Sequence, residues 1–331
     1  MKIAADSAIP FLDGVFDPFA DVLFAAGADF SPRTVRDADA IVIRTRTRCD
    51  ASLLEGSAVK FIATATIGFD HIDMEYCRTH GIGVATAAGC NARGVLQWVA
   101  AALVLLARRF RFEPHERTLG VIGVGSVGSL VREYASEWGF RVVCCDPPRE
   151  EREHCGFLPL AEVLRQADIL TLHVPLDVST HHMLDRRALA AMPSGAILLN
   201  ASRGEVVDTR ALLDSGIRCA IDVWENEPHI DRRLLERALI ATPHIAGYSL
   251  QGKANAAAMA VGAVARHFRL PLEGWYPAGV KRSVPRHISW HELCATIGGR
   301  YDIAGDTERL RRDPGGFEAL RNAYRYREEY F

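Results

Sequence analysis

Residues 118–148 read TLGVIGVGSVGSLVREYASEWGFRVVCCDPP, and this stretch decides the fold. An apolar run, 119–122, leads directly into Gly123-x-Gly125-x-x-Gly128. An amphipathic pattern follows over 127–138 and is stopped by Gly139. A second apolar run, 142–145, ends in an acid, Asp146. Strand, glycine loop, helix and strand in this order form a dinucleotide-binding unit. Gly123 permits the tight turn, Gly125 lets backbone N–H groups approach a diphosphate, and Gly128 lets helix and strand pack closely. Ser126 and Val127 open the helix, whose N-terminus presents unpaired N–H donors and a partial positive charge to phosphates. Asp146 would accept hydrogen bonds from a ribose diol and repel a 2′-phosphate, which favours NAD over NADP. Arg149 stands close enough to leave that choice open.

The same alternation extends outward in both directions. Upstream, 2–5, 40–43, 61–66 and 83–87 read as strands, with a helix over 74–80. A long helix over 94–109 follows. Downstream of it, 119–122, 142–145, 169–174, 196–200, 219–223 and 239–242 read as strands. Helical patterns over 127–138, 160–166, 186–192, 209–214 and 232–237 fill most of the gaps. Such alternation specifies doubly wound parallel sheets, whose strands are continuous apolar runs because helices cover both faces. Two Rossmann/flavodoxin-like α/β domains are expected, one from residues 1–91 and 247–280, the other from 92–246. An alanine-rich helix over 253–268 belongs to the first. Residues 281–331 are set apart as a short C-terminal element. Residues 275–290 carry two prolines and several cations and read as a linker. The charged, aromatic remainder reads as helical near its end. It is either a solvated tail or an interaction element, because Tyr324, Tyr326, Tyr330 and Phe331 would be costly to expose.

Composition narrows the function classes. Of 331 residues, 49% are hydrophobic and 24% charged, with a formal net charge of -2, which argues for a globular protein with two cores. No nucleic-acid or membrane surface is indicated. The longest apolar stretch, 95–107, is too short to span a bilayer. The eight scattered cysteines contain no C-x-x-C pair and fit a reducing cytoplasm, and no metal site is expected.

In open α/β sheets the ligand sits outside the carboxyl ends of the strands. Three of the later strands are followed there by informative side chains. The run 196–200 leads to Ala201, Ser202 and Arg203, the run 219–223 to Glu225 and Glu227, and the run 239–242 to His244. A cation, a carboxylate and an imidazole at one sheet edge suit hydride transfer from a 2-hydroxy acid. The hydroxyl must lose a proton as its carbon loses hydride, and histidine can take that proton near neutrality. A neighbouring carboxylate stabilises the imidazolium, and arginine can grip a substrate carboxylate through two hydrogen bonds. Each residue alone has an ordinary alternative, as a helix cap, a surface charge or a packed histidine.

Gly123-x-Gly125-x-x-Gly128 with Asp146, Asn200-Ala-Ser-Arg203-Gly-Glu-Val-Val-Asp208, Asp222-Val-Trp-Glu-Asn-Glu227-Pro and Pro243-His244 together resemble the D-2-hydroxyacid dehydrogenase family over about residues 1–270. The resemblance implies NAD and two similar domains with the active site in the cleft between them. It also implies catalytic Arg203, Glu227 (rather than Glu225) and His244. By the same motifs, Val174, Ala201, Ser202, Asp222 and Gly247 fall at cofactor positions. Val174 stands where a threonine is expected, so only a backbone contact would be retained there.

Further stretches, FIATATIGFDHID, AAGCNARGV and HIAGYSLQGKA, resemble one branch of that family, whose substrate is a phosphorylated sugar acid. In that branch Thr45, Thr66 and Tyr248 fall on substrate positions. Phosphate needs cations, and IVIRTRTRCD offers Arg44, Arg46 and Arg48. An extended strand would point these three to one face and Thr45 to the other, so they share a site with Thr45 only if the strand has already ended. Arg44 is the preferred ligand-side residue. The branch implies a homodimer, although this C-terminus reads as shorter than its usual dimerisation segment. Another phosphorylated 2-hydroxy acid, such as 3-phosphoglycerate, is the alternative substrate. An NAD-sensing protein without chemistry is the alternative class.

Overall fold

The computed structural model describes residues 1–331, which divide into two units, Met1–Asn91 with Leu250–Arg282, and Ala92–Ser249 with Ser283–Phe331. In the first unit, strands β1 (Lys2–Asp6), β2 (Asp21–Ala25), β3 (Ala40–Ile43), β4 (Phe61–Thr64) and β5 (Gly83–Thr86) pair in the order β2-β1-β3-β4-β5. Every pair is parallel. The central strands β3 and β4 are buried at every position, because both faces of the sheet are covered. The helix Leu250–Phe268 packs Ala257, Val261 and Val264 on one face. Val35, Leu53, Leu54 and Cys77 cover the other.

One strand of this unit, β2, was not expected from the sequence. Strand β2 lies at the sheet edge with only half-buried and exposed side chains, and its short apolar run, 22–25, directly follows a stretch rich in Asp, Gly and Pro that reads as a loop. Strand β3 ends at Ile43, and the Arg44 carbonyl accepts the Thr47 amide at 3.2 Å, so Arg44–Thr47 is a turn rather than extended strand. β3 thus spans the run expected as a strand, 40–43, and the alternation of faces that an extended strand would impose on Arg44, Arg46 and Arg48 does not arise.

The second unit contains β6 (Thr118–Ile122), β7 (Arg141–Cys145), β8 (Ile169–Leu172), β9 (Ile197–Asn200), β10 (Arg218–Ile221) and β11 (Ile240–Ala241). Their order is β11-β10-β9-β8-β6-β7, all parallel. The winding reverses between β6 and β8, which creates a ligand-binding switch point at their carboxyl ends. The helix Ala92–Phe110 is buried on nearly every side, with Leu96, Trp98, Leu103 and Leu106 fully enclosed. Each such side chain contributes roughly 1.5–3 kcal/mol of burial free energy. The helix ends on Arg108 and Arg109, which suit the negative end of its dipole.

The C-terminal residues were expected as a separate element. Instead Leu293, Ile297, Ile303 and Phe331 join one core of the second unit, and Leu310 and Phe317 join the other. Three helices form there, Trp290–Arg300, Ile303–Arg312 and Phe317–Asn322. Residues 323–331 are not helical, contrary to the expectation for the end of the chain. Arg327 makes an isolated parallel bridge with Ser249, and Phe331 is 1% exposed.

Candidate active site

The glycine loop follows β6 directly. Gly123 has φ 81°, and a Cβ there would lie 2.7 Å from the His173 carbonyl oxygen and 2.8 Å from Cγ1 of Val174. The loop therefore presses against the chain leaving β8, at the switch point. A Cβ on Gly128 would approach the Gly123 carbonyl oxygen to 1.9 Å, so only glycine permits this helix–loop contact. Around Gly125, by contrast, nothing lies within 4 Å of an added Cβ. The helix Ser126–Glu137 starts here without a side-chain cap, so its first amides face that open side. Asp146 ends the next strand and accepts the Val124 amide at 2.7 Å and the Arg149 amide at 3.0 Å. Arg149 pairs with Glu153 at 2.7 Å and donates to the Val124 carbonyl at 2.8 Å. Its guanidinium is thus already engaged, while Asp146 remains half-buried beside the loop. An open glycine loop, an uncapped helix start and an acid at the next strand end fit NAD.

Three adjacent strands, β9, β10 and β11, deliver the polar groups at the same edge. After β9, Oδ1 of Asn200 accepts the Ser202 amide at 3.1 Å and hydroxyl at 2.9 Å, and Nδ2 donates to the Arg203 carbonyl at 2.9 Å. This asparagine shapes the Ala201–Arg203 turn. Gly204 then passes so close to Trp224 that a Cβ would meet its backbone carbon at 2.0 Å. The loops after β9 and β10 are packed together for that reason.

After β10 the two glutamates separate. Glu225 bonds Nε2 of His182 at 2.7 Å and accepts the Thr209 amide at 2.9 Å. Glu227 accepts the Trp224 amide at 2.8 Å with one oxygen and faces Nδ1 of His244 at 2.8 Å with the other. Burial alone would raise the pKa of Glu227. The charge and hydrogen bond of His244, the Trp224 amide and the charge of Arg321 outweigh it and hold the carboxyl below its usual range. His244 has φ 56°, a left-handed conformation that is uncommon for a non-glycine residue. Asp222 maintains it. Its carbonyl accepts the His244 amide at 2.7 Å. Its carboxylate accepts the Thr242 hydroxyl at 2.5 Å and the amides of Ile245 and Ala246 at 2.8 and 2.9 Å. Burial raises the pKa of this carboxyl, an effect that the His244 charge and these hydrogen bonds oppose. Thr242 is held in turn by Nε1 of Trp98 at 2.9 Å. Gly247 and half-buried Tyr248 follow, and the Tyr248 hydroxyl accepts from Nε of Arg321 at 3.0 Å.

In the first unit, Thr45 is exposed in the turn after β3. Thr66, just past neighbouring β4, bonds the Thr64 hydroxyl at 2.5 Å and the Gly68 carbonyl at 3.2 Å. Arg44 is tied to fully buried Asp6 at 3.0 Å. Arg321 and Arg327 were not singled out from the sequence. Arg327 stands in a short alternation of tyrosine and arginine, 324–327, and Arg321 lies outside it.

Residues 96–246 match the family described as D-isomer specific 2-hydroxyacid dehydrogenase, NAD binding domain. Together with full-length relatives, this match shows that the chain belongs to the D-isomer specific 2-hydroxyacid dehydrogenases, and its second unit contains their NAD-binding domain. Among these relatives, the erythronate-4-phosphate dehydrogenase of Bacteroides fragilis is 45% identical, with 99% of this chain and 97% of the relative covered. The protein of that name from Porphyromonas gingivalis is 41% identical, with 99% and 94% covered. Among solved structures, D-lactate dehydrogenase from Aquifex aeolicus, complexed with NAD and lactic acid, aligns with TM-score 0.68 and 26% identity, over 85% of this chain and 100% of that one.

Proposed function

We propose that this protein oxidises 4-phospho-D-erythronate to 3-hydroxy-2-oxo-4-phosphooxybutanoate with NAD, a step of pyridoxal 5′-phosphate biosynthesis. The observation that carries the chemistry is the 2.8 Å pairing of His244 with Glu227 at the carboxyl end of the second sheet. The substrate assignment is supported by the relatives at 41–45% identity. Gly123, Gly125, Gly128 and Asp146 would hold NAD, which would supply the hydride acceptor for the carbon that bears the 2-hydroxyl.

The chain's own groups do the rest. Glu227 faces Nδ1 of His244, so the ring hydrogen belongs on Nδ1 and the lone pair on Nε2. Nε2 takes the hydroxyl proton as the carbon–hydrogen bond breaks, and Glu227 stabilises the resulting imidazolium. Arg203 grips the substrate carboxylate and polarises the reacting C–O bond. Thr45, Thr66 and Tyr248 contact substrate. Arg44 is already paired with Asp6 at 3.0 Å, so a substrate phosphate would share its guanidinium with that carboxylate.

No helix is long and apolar enough to cross a membrane. The eight cysteines are all free thiols, which supports a reducing, cytoplasmic site of action. A homodimer is the proposed assembly, and light scattering of the purified protein should give about twice the 36.4 kDa chain mass. The function is tested by NADH formation from 4-phospho-D-erythronate. His244→Ala should lower turnover about 10²–10⁴-fold while cofactor binding persists. Equal turnover in the variant would show that the base is misassigned.

A further inference from the structure

The loop that carries His244 and Tyr248 is fastened by the end of the chain. Arg327 is 7% exposed. Its Nη1 donates to the carbonyls of Ile245 and Tyr248 at 3.1 and 3.3 Å, and its Nη2 donates to the carbonyls of Gly94, at 2.8 Å, and Ala246. The guanidinium also lies 4.2 Å from the centre of the Tyr301 ring and 3.2 Å from the Tyr324 hydroxyl. Ser249, at the end of the loop, bridges Arg327 through its backbone and donates its hydroxyl to Glu329 at 2.6 Å. A turn earlier, Nε of Arg321 holds the Tyr248 hydroxyl at 3.0 Å, and the charge of this arginine helps depress the pKa of Glu227.

Burying a guanidinium is costly, and an apolar side chain could cover the Tyr301 ring as well. What the guanidinium adds is a rigid planar set of donors that ties three carbonyls of one loop to each other and to the helix Ala92–Phe110. That loop contains the left-handed His244. We propose that Arg321 and Arg327 are positioning residues of the active site. Arg327 fixes the backbone of residues 245–248, and Arg321 fixes the Tyr248 hydroxyl. The C-terminal segment is thereby part of the catalytic apparatus. This inference rests on the dehydrogenase reading above.

Two variants test it, each with a readout that separates positioning from general stability. Arg327→Lys keeps the charge but places its donors on a single nitrogen and loses the planar fork. It should speed amide hydrogen exchange at residues 244–249 while β6–β10 exchange as in the native protein, and lower kcat about tenfold. Arg321→Met should raise KM for the phosphorylated acid about tenfold, the loss of a charge-assisted hydrogen bond. In a Tyr248→Phe background it should change KM by less than about twofold. Unchanged exchange at residues 244–249, or additive effects of Arg321→Met and Tyr248→Phe, would overturn the proposal. Absence of turnover in the native protein would instead contradict the dehydrogenase reading, and the exchange comparison would still decide the positioning role.

Discussion

Nδ1 of His244 lies 2.8 Å from one oxygen of Glu227, and the other oxygen of that carboxylate accepts the Trp224 amide at 2.8 Å. The carboxylate therefore has one oxygen for orientation and one for the imidazole. Its pKa sits below the ordinary carboxylate value of 4.5, so it stays ionised throughout the working range. Glu227→Gln removes the charge that favours the imidazolium. kcat/KM for oxidation should then fall about 10–100-fold. Steady-state kinetics of the variant measure this.

Glu225 provides the control. It lies two residues away, but its carboxylate serves His182 and the Thr209 amide. Burial works against its charge, and the bonds to Thr209 and His182 overcome this and lower its pKa from 4.5. Its stabilising contribution is thus present above pH 4.5 and is lost as pH falls through the lower folded-state value. Glu225→Gln should lower the urea midpoint at pH 7, with the difference from the native protein narrowing at acid pH, and leave kcat within about threefold.

The glycine loop separates folding from cofactor binding. Nothing lies within 4 Å of a Cβ added at Gly125, where φ is -75°. Gly125→Ala should leave the thermal midpoint unchanged and weaken NAD binding about tenfold or more, since the methyl fills the space a diphosphate would use. Gly128→Ala should instead destabilise the protein, because its Cβ would meet the Gly123 carbonyl oxygen at 1.9 Å. Calorimetry and a fluorescence titration distinguish the two outcomes.

The Asp222 carboxylate accepts three hydrogen bonds, from the Thr242 hydroxyl and the amides of Ile245 and Ala246, and donates none. A carboxamide in its place would turn an NH₂ group toward either the Ala246 amide or the pair formed by Thr242 and Ile245. Asp222→Asn should therefore cost about 1–3 kcal/mol in denaturant unfolding and loosen the His244 loop, lowering kcat as well.

Much of this was legible in the sequence. The central strands are apolar runs, and Gly123, Asp146, Arg203 and His244 follow strand ends, so their shared sheet edge follows from parallel pairing. Two things were not legible, each for a physical reason. Strand β2 is a short edge strand whose apolar run, 22–25, directly follows Asp, Gly and Pro residues that read as loop. The role of the C-terminal arginines depends on backbone carbonyls about eighty residues away, which no local pattern encodes.

The identity of the oxidised acid is tested most directly by kcat/KM for 4-phospho-D-erythronate against 3-phosphoglycerate with NAD on the same purified protein. The four-carbon acid should be preferred by at least about tenfold if Thr45, Thr66 and Tyr248 make the substrate contacts proposed for them. Equal values, or a preference for 3-phosphoglycerate, would contradict that assignment.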